Sequence, residues 1–557
     1  VPSLKERCIR RLEGMKALRQ PYESEVKEIA SYCQPARSRF LTNDTNKGRQ
    51  PNRRLNNSHG IRAFRTLQGG MTSGLSSESR PWMNLGSQDD ELMEIPEIKA
   101  YWAEVERLMY LFLARTNFYG AAKTGYLEMG LFGTEACVMA EHLYEGAVCH
   151  QLTFGEYWIA LDDALKPGAL YRIISPSVVQ AVQRFGYNNV SQRIRDAYDR
   201  SDKEMQLEFY QAIEKNEEQE PGRLDWRGKP WRSVYWDAQD GNPNSLLEQK
   251  GCEEQPFWAP RWDTTGNDAW GQGPGHDALP DLRELQLHTK RGGEAEDFLI
   301  HPEKVVSSKV KLKGQPKSVV SVASVDNVSE LVSIPYEVPY QVLGLIGDRI
   351  ERTEQKIDEM AYADLFMAIT NMQGIQPRNM EEIASRNEEK LTQLGPVIER
   401  VNNEKLEVAI DRAFGIMQRG RLLPPAPDAL QDSPEVKIDF VSILTQMQRM
   451  VGLGPIERTI GFVGANLGMF PGIRHKIDEN ELVDEYARRA GTPPKIIRST
   501  DEANELADQE AQAAQAAAAA EAAPKVAAAS VDMVDAGRLA AETAPGVEGV
   551  SAIEALL

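Results

Sequence analysis

Five lysines, Lys304, Lys309, Lys311, Lys313 and Lys317, crowd one short stretch that only Glu303 opposes locally. A row of ammonium groups can hold phosphates or an acidic partner. It also keeps an edge strand from pairing with a stranger. Both readings stand at this point. A second polar group, Asn371, Gln373 and Arg378, falls between Thr370 and Asn379. Gly374 and Pro377 prevent either flanking helix from continuing through this stretch, so it reads as a projecting loop. Its amides and guanidinium suit phosphate contact. The acidic neighbours Asp89-Asp90 and Asp162-Asp163 are of the type that holds magnesium in a nuclease. The chain carries 83 carboxylates, so such neighbours are commonplace, and solvated loops are their simplest reading. Ser308 and Lys311 match a serine–lysine nucleophile spacing, but they lie in alternating β-like sequence without companion motifs.

Other chemistry is missing from the sequence. No G-x-x-x-x-G-K-[ST] loop is present to cradle a nucleotide, so the chain is not itself a packaging-type ATPase. It has no G-x-S-x-G elbow and no H-E-x-x-H helix. Five scattered cysteines and seven dispersed histidines supply neither a disulfide framework nor a metal set. The expectation is a protein with no catalytic residues, no cofactor and no metal. No apolar run reaches membrane-spanning length, so no membrane partner is expected.

The formal net charge is −19. Tight wrapping of DNA needs Lys and Arg against phosphate, which this balance disfavours. A surface that DNA slides past is compatible with it. The C-terminal stretch from Asp501 is the most acidic part, with 11 acids against Lys525 and Arg538.

These groups are positioned by a chain long enough for three or four domain-sized units. Helical spacing predicts one or two helices over 4–33, with Leu4, Cys8, Leu12 and Met15 on one face and a break at Pro21. A polar basic arm follows from Gln34 to Asn57. Further helices are predicted at 59–71, running into a Gly-Met-Thr-Ser-Gly-Leu turn at 70–75, and then at 96–114 and 119–132. Strands are expected at 136–141, 156–162 and 171–174. Six tryptophans between Trp226 and Trp270 read as core and interface packing. Valines alternating with polar residues make 303–338 a small β-rich unit between helices at about 277–291 and 341–369. The second of these would span roughly 45 Å at the α-helical rise. Its many charges leave only a narrow apolar face. Asn379 and Glu382 form a capping-box pair for a helix carrying Leu391, Leu394, Ile398, Leu406, Ile410 and Phe414, which stops at Gly420. Several helices follow over 436–498, and an alanine-rich acidic tail covers 501–557.

A series of short pieces occurs in one order along most of residues 1–500. They are Gly70-Met71-Thr72-Ser73-Gly74-Leu75, Arg80-Pro81-Trp82, Asn117-Phe118-Tyr119, Phe132-Gly133-Thr134 and Gly155-Glu156-Tyr157-Trp158. Pro260-Arg261-Trp262, Ala278-Leu279-Pro280-Asp281, Leu394-Gly395-Pro396-Val397 and Arg419-Gly420 before Leu423-Pro424 continue it. In these pieces and their order the chain resembles the head-to-tail connector, or portal, family of short-tailed bacteriophages. The resemblance implies an α+β, mainly helical portal fold. In it 1–276 and 380–435 form the wing, 277–291 and 339–369 the two stem helices, 292–338 the clip, 370–379 the channel (tunnel) loop and 436–500 the crown. It implies a homo-oligomeric ring, a dodecamer, at one capsid vertex of the virion, made in the host cytoplasm. Double-stranded DNA would pass through it in packaging and ejection. Its other partners would be the terminase motor, the major capsid and scaffolding proteins and tail adaptor proteins. Asn371, Gln373 and Arg378 then become channel-loop candidates, and the five lysines a basic clip surface. Two other classes compete with this reading. One is another structural virion protein, such as a tail adaptor or an ejected internal protein. The other is a metal-dependent packaging nuclease.

Overall fold

The computed structural model describes residues 2–35, 55–89, 92–302, 339–370, 388–427, 436–446 and 453–466, with short pieces at 305–306, 332–333, 430 and beyond 480. The chain divides into two units, Val1–Glu457 and Arg458–Leu557. The candidate residues Lys304, Lys309, Lys311, Lys313, Lys317, Asn371, Gln373 and Arg378 all lie outside the described residues, as do the cap pair Asn379 and Glu382.

The first unit opens with α1 (Leu4–Arg19) and α2 (Glu23–Cys33), separated by a single 3-10 turn that begins at Gln20-Pro21. Ser3 caps α1 through Glu6 in a capping box, satisfying two otherwise free backbone N–H groups. Next come α3 (His59–Leu75), β1 (Met83–Ser87), α4 (Pro96–Arg115) and α5 (Phe118–Phe132). The turn expected at Gly70–Leu75 is helix instead. A β-carbon on Gly70 would sit 2.1 Å from the Phe366 ring, and one on Gly74 would sit 2.8 Å from Leu444. The glycines there permit close packing of neighbours on the helix; they do not turn the chain. At Gly133 (φ +70) α5 does end on a left-handed cap.

Two sheets follow. The hairpin β2 (Ala136–His142) and β3 (Gly146–Leu152) takes β9 (Phe257–Trp258) as a third strand. The second sheet is an antiparallel meander of β4 (Tyr157–Leu161), β5 (Pro167–Ile174), β6 (Phe209–Lys215), β7 (Trp231–Asp237) and β8 (Glu248–Cys252). Side chains alternate between its faces. Trp158, Tyr171, Ala212 and Val234 stand in register on one face and meet Cys8, Leu12 and Met15 of α1. On the opposite face, α6 (Val178–Phe185) and α7 (Gln192–Asp199) pack Phe185 and Ile194 against Phe209 and Tyr235.

After a short α8 (Pro274–Asp277), α9 (Leu279–Ile300) runs nine residues past its expected end at 291. At Gly292, just past that expected end, a β-carbon would lie 3.3 Å from Ile346 on the next helix. The glycine is a contact point between helices. The strand pieces β10 (Val305–Val306) and β11 (Val332–Ser333) pair antiparallel. The helix expected over 341–369 is two helices, α10 (Gln341–Met360) and α11 (Ala363–Thr370). Tyr362 adopts a left-handed φ of +52, which breaks the helix and turns the apolar Ala363, Leu365 and Phe366 into the core. Then α12 (Glu388–Val401), a π-helical turn at Asn402–Leu406 and α13 (Glu407–Arg419) make one long rod ending at Gly420. The strand β12 (Val436–Phe440) returns to pair with β1. A last helix, α14 (Leu453–Asn466), crosses the division at 457/458.

Candidate functional site

The feature with the clearest call on a partner is the antiparallel pair α9 and α10. At the helical rise each is roughly 30 Å long. Asp281 of α9 meets Lys356 of α10 at 3.7 Å, and further along Gly292 faces Ile346. Near the core the pair is anchored by apolar residues, Leu282 and Leu285 on α9 and Ile357 on α10. Away from it, large apolar side chains stand in solvent. Leu287 is 44% exposed, Phe298 49%, Ile300 68%, Tyr340 74% and Leu345 63%. Isolated exposed apolar residues need no explanation. These five lie on one pair of helices, at 287, 298 and 300 on α9 and at 340 and 345 at the start of α10.

A clasp from residues 55–59 holds both helices where they leave the core. The backbone N–H groups of Asn56 and Asn57 donate to Gln286 Oε1 at 2.7 and 3.1 Å, and Gln286 Nε2 donates back to the Asn57 carbonyl at 2.7 Å. Asn57 Nδ2 donates to Glu354 of α10 at 2.8 Å. His59, nearly buried, contacts Asp358 through Nε2 at 2.9 Å and Arg62 through Nδ1 at 2.9 Å. An arginine nitrogen can only donate, so Nδ1 accepts and Nε2–H donates to Asp358.

The rod α12–α13 is held by buried charge at its π-helical turn. Lys405 Nζ lies 2.7 Å from Glu135 Oε1, both side chains fully excluded from solvent, and 3.6 Å from the centre of the Tyr126 ring. Burial pushes the Glu135 carboxyl up and the Lys405 ammonium down, and each partner's charge opposes that drift. One residue earlier, Glu404 Oε1 accepts from Arg261 at 2.7 Å, again between buried side chains. Two turns further on and two turns beyond that, Arg412 and Arg419 bracket Glu141 and Glu254, with Arg412 at 3.0 Å from Glu141 and 2.7 Å from Glu254. Together these pairs fix the rod to the start and end of β2 and to the segment around Arg261.

The sequence read none of the clasp or the buried pairs as functional. A signal for Lys405 was available. Leu391, Leu394, Ile398 and Val401 set a stripe that reaches 405 at helical spacing, where a lysine interrupts it. The π-turn itself leaves no comparable mark. Of the candidate magnesium pairs, Asp162 is occupied in closing the β4–β5 turn. It accepts from the Ala164 and Lys166 N–H groups at 3.0 and 2.9 Å and from Lys215 at 3.0 Å. Asp90 lies outside the described residues. Among the described residues, no helix is long and apolar enough to cross a membrane.

The family model described as bacteriophage head to tail connecting protein matches residues 5–497. The portal protein of Salmonella phage epsilon15 is 32% identical over 515 residues, which is 91% of each chain. The probable portal protein of Bordetella phage BPP-1 is 33% identical over 484 residues, 86% of each chain.

Proposed function

The chain belongs to the bacteriophage head-to-tail connecting family and is a portal protein, and from that premise we propose how its parts serve a DNA-conducting ring. Copies of the chain assemble, as a dodecamer, around a channel at one capsid vertex. The ring passes double-stranded DNA in packaging and ejection. It docks the terminase motor and tail adaptor proteins, and it contacts the major capsid and scaffolding proteins during assembly. The helices α9 and α10 are the stem, with α9 taking 292–300 from the stretch expected as clip and leaving it 301–338; with Thr370 in α11 the channel loop is 371–379 in place of 370–379, and 436–500 is the crown. The α/β body built on the two sheets is the wing.

The observation that carries this reading is the exposed apolar set on α9 and α10. A monomer has no use for Leu287, Phe298, Ile300, Tyr340 and Leu345 in water. Ring neighbours packing side by side would cover them. Charge supports the channel role. Each of the two helices carries five acidic and three basic residues. Ion pairs to phosphate would have to break at every step of a moving duplex, with counterions recaptured each time. A mildly acidic wall avoids that trap, and a few groups such as Arg378 or the lysines at 304–317 then grip locally.

Native mass spectrometry of the purified protein tests the assembly. The expected result is a closed multiple of the chain mass, twelve copies. The substitution Leu345→Asp should shift it to monomers while leaving the circular dichroism spectrum unchanged, because Leu345 is largely solvent-exposed in the single chain. A parent protein that stays monomeric across micromolar concentrations would overturn the ring.

A further inference from the structure

A cleft of about 300 Å³ opens where α10 breaks into α11, lined by Trp262, Pro274, Asp277, Glu359, Met360, Tyr362, Lys390 and Gln393. This is the lower end of the size range of small-molecule sites. Its floor and rim differ in chemistry. Trp262 and Pro274 are buried, Tyr362 is half-buried, and the Trp262 and Tyr362 rings lie 6.1 Å apart at 37°. On the rim, the carboxylates of Asp277 and Glu359 are exposed. Among the described residues, neither side chain has a hydrogen bond or ion pair. The nearby cation is engaged elsewhere, since Lys390 Nζ lies 3.6 Å from Asp364.

Two aromatic side chains and two carboxylates without an ion pair among the described residues, lining one cleft, make a complement for an organic cation. Ring faces attract ammonium groups and also accept the methylenes between them. Two carboxylates on opposite elements, Asp277 on α8 and Glu359 on α10, suit a ligand charged at both ends. We propose that this cleft binds an alkyl diammonium ion, a short polyamine. This goes beyond the portal reading and does not depend on it. Partial burial, opposed by His276 and joined by the neighbouring Asp263 carboxylate, holds the Asp277 carboxyl above the ordinary range. A cation seated beside it would bring it down. The occupant would rest against Tyr362, the residue at the helix break, and so would hold α11 at a fixed angle to α10.

Titration of 1,4-diaminobutane into the full-length protein, followed by calorimetry and tryptophan fluorescence, tests the assignment, with 1,4-butanediol as the uncharged control. Saturable binding of the diamine but not the diol is expected. The double variant Asp277→Asn/Glu359→Gln should bind about tenfold more weakly, the loss of a charge-assisted contact. The double variant Asp202→Asn/Glu204→Gln, which removes equal charge from an exposed turn outside the cleft, should bind like the parent. Equal weakening in both double variants, or no saturable binding by the parent, would overturn the proposal. If the diamine fails to bind while Asp277→Asn/Glu359→Gln lowers the melting temperature of the assembled protein, the free ligand is likewise overturned. The cleft then belongs to a lysine or arginine side chain of a neighbouring copy.

Discussion

Lys405 stands where the spacing of Leu391, Leu394, Ile398 and Val401 calls for an apolar side chain, and Glu135 answers it from the start of β2 at 2.7 Å. Taking two charges out of water is costly, and their mutual attraction repays it only while both are present. Lys405→Met should therefore strand the Glu135 carboxylate in the core and cost about 3–5 kcal/mol. Adding Glu135→Gln should recover much of that loss. Urea denaturation of the two variants beside the parent measures it. A double variant as unstable as the sum of its single changes would mean that the residues do not act as a pair. The lysine was legible as an interruption of an apolar stripe; its partner, 270 residues away in sequence, was not. Pairing across such a separation is a property of the folded topology and has no local signal. The residues the sequence singled out, the clip lysines and the Asn371–Arg378 group, were read from composition and turn chemistry, which name residue types without locating partners.

At the scale of elements, helices with sustained periodicity were legible almost to their ends, as α4 and α5 are. The errors fall at glycines. Gly70 and Gly74 look like a turn in sequence, and at each of them, as at Gly292 past the expected end of α9, another chain segment comes close. Sequence alone cannot separate these uses, because the absence of a β-carbon permits both a turn and a close approach. The break at Tyr362 was missed for the opposite reason, since nothing in its local sequence marks a left-handed backbone at a tyrosine. The contact reading of Gly70 has a direct check. Gly70→Ala should push a methyl into Phe366 and destabilise the protein by about 1–3 kcal/mol, and Phe366→Leu in the same chain should restore part of it. A harmless Gly70→Ala would show that the helices can part without cost.

At the scale of the whole molecule, the family was legible because short pieces keep one order over most of the chain, and the mix of helix and sheet was legible from periodicity. What ring copies do to one another is not written in a single chain except as unsatisfied surface, and the exposed apolar set on α9 and α10 is the surface proposed for that contact. The channel loop is a proposal with its own test. Arg378→Glu should leave folding and assembly unchanged, as an exposed loop charge contributes little to stability. Heads built with the variant should package or retain less DNA. Heads that fill and hold DNA like the parent would remove the gating role from this loop. The claim beneath all of this is that the protein is a ring with a hole through it. Electron microscopy of the purified, assembled protein tests that most directly. The predicted image is a rotationally symmetric ring whose open central channel is wide enough for duplex DNA, with the α9–α10 pair in its wall. Particles without a channel, or a channel wall built from other helices, would contradict the account.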